Sequence, residues 1–137
     1  VRIAKWLGDG CMIVAVEQSA CIAFALELEH RSAEVCAPLA LRVGIATGHA
    51  LLFEGDDYIG SAVNMASRLC DAAGPFEVLL PTMQIERLPE GVVTAVHGDL
   101  ELRGFPGPIS VVELSGQPKM ASSTDTAELW TRSPFLA

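Results

Sequence analysis

Short β-prone runs separated by glycine turns restrict the folds open to this chain more than any other feature of the sequence. The first two runs, residues 2–7 and 11–16, flank Gly8-Asp9-Gly10. Two strands around such a turn are typical of a β-hairpin. Further strands are predicted, the first two of them forming a second hairpin, at 40–47, 49–54, 77–80, 92–97, 99–103 and 109–114.

Helical patterns interrupt these strands at residues 18–36 and at about 61–73, with a helical turn at 82–87. Strands outnumber helices, which predicts an α+β fold with helices packed on a mainly antiparallel sheet. From Ser115 the composition shifts to Ser, Thr, Gln, Pro and Lys. We therefore expect one domain over residues 1–114 and a mobile tail over residues 115–137.

Charge limits the classes of partner. The chain has 17 acidic and 9 basic residues and a formal net charge of −8. Coating DNA or RNA needs clustered Lys and Arg, so no nucleic-acid partner is expected, whereas a single nucleotide needs only local cations. No apolar run approaches the roughly 20 residues of a membrane span, and no signal peptide is visible. We expect a cytoplasmic protein without a membrane segment.

The cysteines show no metal-binding pattern, because none forms a CxxC pair and no His lies at zinc-ligand spacing from them. Reduced, mostly buried thiols are the expectation. The residues concerned are Cys11, Cys21, Cys36 and Cys70.

The segment 57–68 indicates a nucleotide site. Asn64 and Arg68 are four residues apart on the second predicted helix and so share a face, with Asp57 upstream in a loop. An amide can orient a hydroxyl, and a guanidinium can bind a phosphate. Each residue also has an ordinary alternative: Asp57 caps a loop, Asn64 is a surface amide, and Arg68 pairs with Asp71.

The first hairpin adds a lysine and an aspartate. Asp9 lies in the turn, where an aspartate often serves the turn alone. A carboxylate at a strand end can also bind Mg²⁺, together with substrate phosphates. The occurrence of Lys5 and Asp9 in the same chain as Asp57, Asn64 and Arg68 favours a shared site.

The residues match a family in four segments that follow one another along the chain. They are Lys5-x-x-Gly8-Asp9, Leu41–Gly48, Tyr58-x-Gly60-x-x-Val63-Asn64-x-Ala66-x-Arg68-Leu69 and Leu102-Arg103-Gly104-Phe105. Over residues 2–114 the chain resembles the catalytic domain of class III nucleotidyl cyclases of the bacterial adenylate cyclase type. The resemblance implies a ferredoxin-like α+β fold, and an activity that converts ATP to 3′,5′-cyclic AMP and pyrophosphate.

The resemblance also implies roles for the matching residues. Lys5 and Asp57 match the pair that reads the purine edge, and their types favour ATP over GTP. Asn64 matches the residue that orients the ribose, and Arg68 matches the one that stabilises the pentavalent transition state. Arg103 occupies the position of a lysine that contacts the terminal phosphates.

Asp9 matches one of two metal-binding aspartates, so the resemblance implies Mg²⁺ or Mn²⁺ and a head-to-tail homodimer. The family carries its other metal aspartate in an earlier strand, followed by two helices. We expect this chain to lack that strand, those helices and that aspartate, and to have little or no cyclase activity alone. The alternative is a non-catalytic, cyclase-like dimerisation or nucleotide-binding module.

Overall fold

The computed structural model describes residues 1–53 and 57–118, over which hairpins and helices alternate. A 3₁₀ turn at Thr82–Gln84 follows the sixth strand. The helices and strands are β1 (Arg2–Leu7), β2 (Gly10–Val14), α1 (Gln18–Val35), β3 (Val43–Gly44), β4 (Leu51–Phe53), β5 (Asp57–Ile59), α2 (Ser61–Ala72), β6 (Val78–Pro81), β7 (Val92–Glu101) and β8 (Pro108–Gly116).

The largest sheet has the strand order β3-β6-β8-β7. Strand β3 pairs with β6 in parallel, and the β6–β8 and β7–β8 pairs are antiparallel. The hairpins β1–β2 and β4–β5 are separate two-stranded antiparallel sheets. The predicted α+β class with mainly antiparallel pairing is therefore confirmed.

The core consists of two apolar clusters that take alternate residues of β6. Val78 and Leu80 belong to the cluster under α1, and Leu79 belongs to the cluster under α2. Successive side chains of a strand point to opposite faces of the sheet, so both faces of β6 are covered. All four residues of β6 are buried, which explains why its sequence, Val-Leu-Leu-Pro, is apolar throughout.

Gly44 sets the position of α2. A β-carbon at Gly44 would clash with the backbone of α2 at Ala66 and Cys70 and would lie 2.8 Å from the β-carbon of Leu69. Such close backbone approach is a common reason for glycine in a strand. The helix that carries Asn64 and Arg68 is therefore packed directly on β3.

The predicted second hairpin is wrong. Strand β3 is short and pairs with β6, while β4 pairs with β5 in the register Leu51↔Ile59 and Phe53↔Asp57. Asp57 therefore lies in a strand and not in a loop. Sequence adjacency favoured the hairpin, but the buried strand β6 offers β3 an apolar neighbour that lies far away in the sequence.

The strands predicted at 92–97 and 99–103 are one strand, β7. Its register against β8 shifts between Val96 and Gly98, and Gly98 has φ of +124°. A glycine inside a strand often marks such a bulge, so the break in the pattern was not a turn. Strand β8 continues to Gly116, two residues past the predicted domain end, and residues 119–137 of the predicted tail lie outside the described residues.

All the cysteines are free thiols, as expected, but they are less buried than predicted: Cys36 is exposed and the others are partly buried. Burial raises the pKa of Cys11, Cys21 and Cys70. Within residues 1–53 and 57–118, no helix is both long enough and apolar enough to cross a membrane.

Candidate functional site

One face of α2 lines a pocket together with the β7–β8 connection. Asn64 and Arg68 come from the helix and Arg103 from the connection. The pocket has a volume of about 290 Å³, and its lining is completed by Ser61, Gly104 and Phe105. The structure thus brings three of the predicted site residues together.

The β7–β8 connection presents Arg103 through a fixed turn. Leu102 is buried against α2 and anchors the end of β7, while Arg103 itself is exposed. The backbone N–H of Phe105 donates to the carbonyl of Leu102 at 3.1 Å. Gly104 has φ of +91°, a conformation that glycine adopts without strain. The guanidinium of Arg103 therefore extends from a rigid base towards the pocket.

Among the residues that the structure describes, no carboxylate forms a close ion pair with either of the two guanidinium groups that line the pocket. Arg68 Nη1 lies 3.9 Å from Asp71 Oδ2, and the Asp71 side chain is 73% exposed. Charge-assisted hydrogen bonds between such groups are about 2.7–2.9 Å long, so this ion pair is loose. The alternative role for Arg68, pairing with Asp71, is present only in this weak form. Arg68 and Arg103 can both bind an anion in the pocket.

Lys5 and Asp57 form a direct ion pair across the two hairpins. Lys5 Nζ donates to Asp57 Oδ1 at 2.8 Å, and the side chains are 41% and 44% exposed. This hydrogen bond lowers the pKa of Asp57 below its usual range. An ammonium and a carboxylate held side by side present one donor and one acceptor to solvent, which is the pattern that an adenine edge complements.

Asp9 does not lie in a metal-binding cluster of the described chain. It is exposed in the turn between β1 and β2, where Gly8 has φ of +62°. Over residues 1–53 and 57–118, no group of three or more His, Cys, Asp or Glu side chains could hold a metal ion. The described residues therefore do not fit the expected two-ion site by themselves, and the alternative that Asp9 serves the turn remains open.

The sequence assigned no role to four residues near the site, although two of them, Tyr58 and Phe105, lie in the matched segments. Ser61 lines the pocket and was detectable, because it lies three residues before Asn64 and seven before Arg68 on the same helix face. Phe105 lines it beside Arg103. Arg2 Nη2 donates to the hydroxyl of Tyr58 at 2.6 Å, a contact between residues 56 positions apart that no local pattern signals.

Comparison with known proteins gives relatives without an assigned activity. No protein-family model matches the chain. The uncharacterized protein Rv2212 of Mycobacterium tuberculosis is 35% identical over 125 residues, which are 91% of this chain and 32% of that protein. Uncharacterized protein Rv1359 of the same organism is 37% identical over 71 residues, or 52% of this chain and 27% of the relative. The chain thus spans about a third of the length of the curated relatives it matches.

Solved structures with a similar fold include adenylate cyclases. An adenylate cyclase of Trypanosoma brucei, solved in its monomeric state, matches with a TM-score of 0.67 and 23% identity over 88% of this chain and 73% of that one. The adenylyl cyclase CyaB of P. aeruginosa matches with a TM-score of 0.64 and 23% identity over 82% and 70%. The expected cyclase-type fold is therefore confirmed, and at this identity the likeness concerns the fold alone.

Proposed function

We propose that this chain is part of the catalytic domain of an adenylate cyclase, which converts ATP to 3′,5′-cyclic AMP and pyrophosphate. The observation that carries the proposal is the pocket in which Asn64, Arg68 and Arg103 meet. An amide and two guanidinium groups in one small pocket suit a ribose attached to a polyphosphate. The cyclase-type fold supports the same reading.

Each of the three pocket side chains has a role in the proposed reaction. The ribose 3′-oxygen attacks the α-phosphorus, the bond from that phosphorus to the α,β-bridging oxygen breaks so that pyrophosphate leaves, and the 3′-hydroxyl proton passes to solvent. In our proposal the Asn64 amide orients the ribose. Arg68 stabilises the charge on the equatorial oxygens of the pentavalent transition state, and Arg103 binds the departing pyrophosphate.

Lys5 and Asp57 are our proposed purine readers. The Lys5 ammonium donates to N1 of adenine, and the Asp57 carboxylate accepts from the N6 amino group. The pair is already formed at 2.8 Å, so the donor and acceptor are preorganised. Guanine presents the opposite pattern at these two atoms, so ATP is the proposed substrate.

Among the described residues, we assign the binding of a divalent cation, Mg²⁺ or Mn²⁺, to Asp9 alone. Asp9 is exposed at the hairpin tip and can contribute one carboxylate to a shared site. The site would be completed by residues other than those of the described chain, and no step above depends on the ion.

A head-to-tail homodimer is the proposed assembly, in a cytoplasmic protein with access to ATP. The two small hairpins carry large apolar side chains that are exposed in the single chain, namely Trp6, Leu7, Leu51, Leu52 and Ile59. Neighbouring exposed apolar side chains of this kind mark interaction surfaces. A second copy packed on this surface would bury them.

The alternative function is a nucleotide-binding or dimerisation module that performs no chemistry. The position of Asp9, exposed and outside any metal-binding group of the described residues, favours it. Both functions use the pocket and the Lys5–Asp57 pair, so binding alone does not separate them.

Product formation separates the two functions. The chain alone, full-length Rv2212, and a chimera in which this chain replaces the matching segment of Rv2212 are each incubated with ATP and Mn²⁺. We expect cyclic AMP and pyrophosphate in equal amounts from the chimera, little or none from the chain alone, and a loss of at least about 100-fold in an Arg68→Ala chimera. An inactive chimera beside an active Rv2212 would contradict the cyclase proposal and favour the non-catalytic module.

A further inference from the structure

Side chains, and not a shared sheet, connect the two hairpins that carry Lys5 and Asp57. Strand β1 pairs with β2, and β5 pairs with β4. The described sheets contain no β1–β5 ladder, although the two strands lie side by side. Contacts between side chains of β1 and β5 therefore contribute to the relative position of Lys5 and Asp57.

The Lys5–Asp57 pair is poorly suited to set this position. Both side chains are more than 40% exposed, and exposed ion pairs of this kind contribute little to stability. A lysine side chain also has many rotamers, so holding its ammonium against the carboxylate costs side-chain entropy.

The Arg2–Tyr58 hydrogen bond is also exposed, and Arg2 is more exposed than Lys5, but Arg2 engages its partner at two points. Arg2 Nη2 donates to the Tyr58 hydroxyl at 2.6 Å, and the guanidinium carbon lies 5.4 Å from the centre of the Tyr58 ring. One guanidinium thus engages one phenol both through its hydroxyl and through its ring. Tyr58 is half-buried and is the direct neighbour of Asp57 in β5, so whatever fixes Tyr58 fixes the backbone of Asp57.

We propose that Arg2 and Tyr58 are positioning residues, which hold β5 against β1 so that the Asp57 carboxylate stays within hydrogen-bond reach of the Lys5 ammonium. The consequence for purine selection rests on the proposed function. A displaced Asp57 would still carry its charge but would no longer present an acceptor beside the Lys5 donor, and the preference for adenine would weaken.

The test uses variants that leave the charge near Asp57 unchanged. Tyr58→Phe removes the hydroxyl and keeps the ring, and Arg2→Lys keeps the charge but loses the planar fork. The readout is the pKa of Asp57, followed by NMR of the labelled carboxyl carbon in the 137-residue chain. Ser110→Ala, which removes the exposed Ser110–Asp99 hydrogen bond between β7 and β8, is the control.

We expect both variants to move the pKa of Asp57 up towards its ordinary value, with an unchanged thermal unfolding midpoint, and the control to leave it unchanged. An unmoved Asp57 pKa in Tyr58→Phe and Arg2→Lys would overturn the proposal. A moved pKa in the Ser110→Ala control would also overturn it, because the effect would then be a general one.

Nucleotide binding provides the second readout. Affinities for the non-cyclisable α,β-methylene analogues of ATP and GTP are compared by titration, and we expect the ATP:GTP preference to fall about 3- to 10-fold in Tyr58→Phe. An unchanged preference in a wild-type chain that does bind ATP would contradict the role in purine selection. A wild-type chain that binds neither analogue would refute the proposed function, while the Asp57 pKa still decides the positioning role.

Discussion

Gly44 and Leu69 are in such close contact that a β-carbon on the glycine would lie 2.8 Å from the β-carbon of the leucine. The same added carbon would clash with the α2 backbone at Ala66 and Cys70. Strand β3 and helix α2 therefore approach closely through backbone atoms. The position of Asn64 and Arg68 depends on Gly44 having no side chain.

Gly44→Ala is expected to destabilise the fold, because the helix must move away from the strand to admit the methyl group. Overpacking of this kind costs about 1–3 kcal/mol of unfolding free energy. Chemical denaturation measures the loss, with Gly10→Ala as the matched control, since the nearest described atom that a β-carbon there would meet is Leu7 O at 3.9 Å. Equal stability of the two variants would show that α2 is not fixed by this contact.

Removing either pocket guanidinium should weaken ATP binding. Arg68→Met and Arg103→Met keep most of the side-chain volume and each remove one charge, and we expect each to raise the dissociation constant about 10-fold, since hydrogen bonds to charged groups are worth about 1.5–3 kcal/mol. Isothermal titration measures this effect. Arg31→Met is the control, because Arg31 pairs with Glu27 on α1 and does not line the pocket. A loss in Arg31→Met as large as in the other two would indicate a nonspecific charge effect.

Exchanging the purine readers should reverse the preference between ATP and GTP. In Lys5→Glu/Asp57→Asn, the glutamate accepts from the N1 hydrogen of guanine and the asparagine amide donates to O6. We expect the ratio of the ATP and GTP affinities to shift by at least about 10-fold towards GTP. The variant loses hydrogen bonds to adenine and gains hydrogen bonds to guanine, and each is worth roughly 1 kcal/mol. If the ratio is unchanged, Lys5 and Asp57 do not read the purine.

The Lys5–Asp57 pair predicts a specific pH dependence. The hydrogen bond from Lys5 lowers the folded-state pKa of Asp57, so its contribution to stability is present above the unfolded-state value of about 3.9 and is lost as the pH falls through the lowered folded value. Lys5→Met should return the Asp57 pKa to its ordinary range and flatten the stability profile below about pH 4. Unfolding measured from pH 5 downwards, with the same profile in wild type and variant, would exclude this coupling.

The sequence predicted what depends on neighbouring residues. Gly8-Asp9-Gly10 placed the first hairpin, and the four-residue spacing of Asn64 and Arg68 placed both on one face of α2, where they line one pocket. The sequence did not predict the pairing of strands that lie far apart in the chain. Strand β3 pairs with β6, which is 35 residues later in the register Val43↔Val78, and no local pattern marks that choice.

The Arg2–Tyr58 contact shows a second limit. The register of β1 against β2 shifts between Ile3 and Lys5, so simple alternation does not predict which side of β1 faces β5. The roles of the individual site residues remain predictions, because they depend on a nucleotide and not on the fold.

In the proposed function, the α2 pocket and the Lys5–Asp57 pair form one ATP site. NMR titration of the 137-residue chain with ATP tests it most directly, by following the side-chain signals of Arg68, Arg103 and Asp57 together. We expect all three signals to shift with a single dissociation constant and to shift less with GTP. Shifts confined to the arginines, or the same shifts with GTP as with ATP, would contradict it.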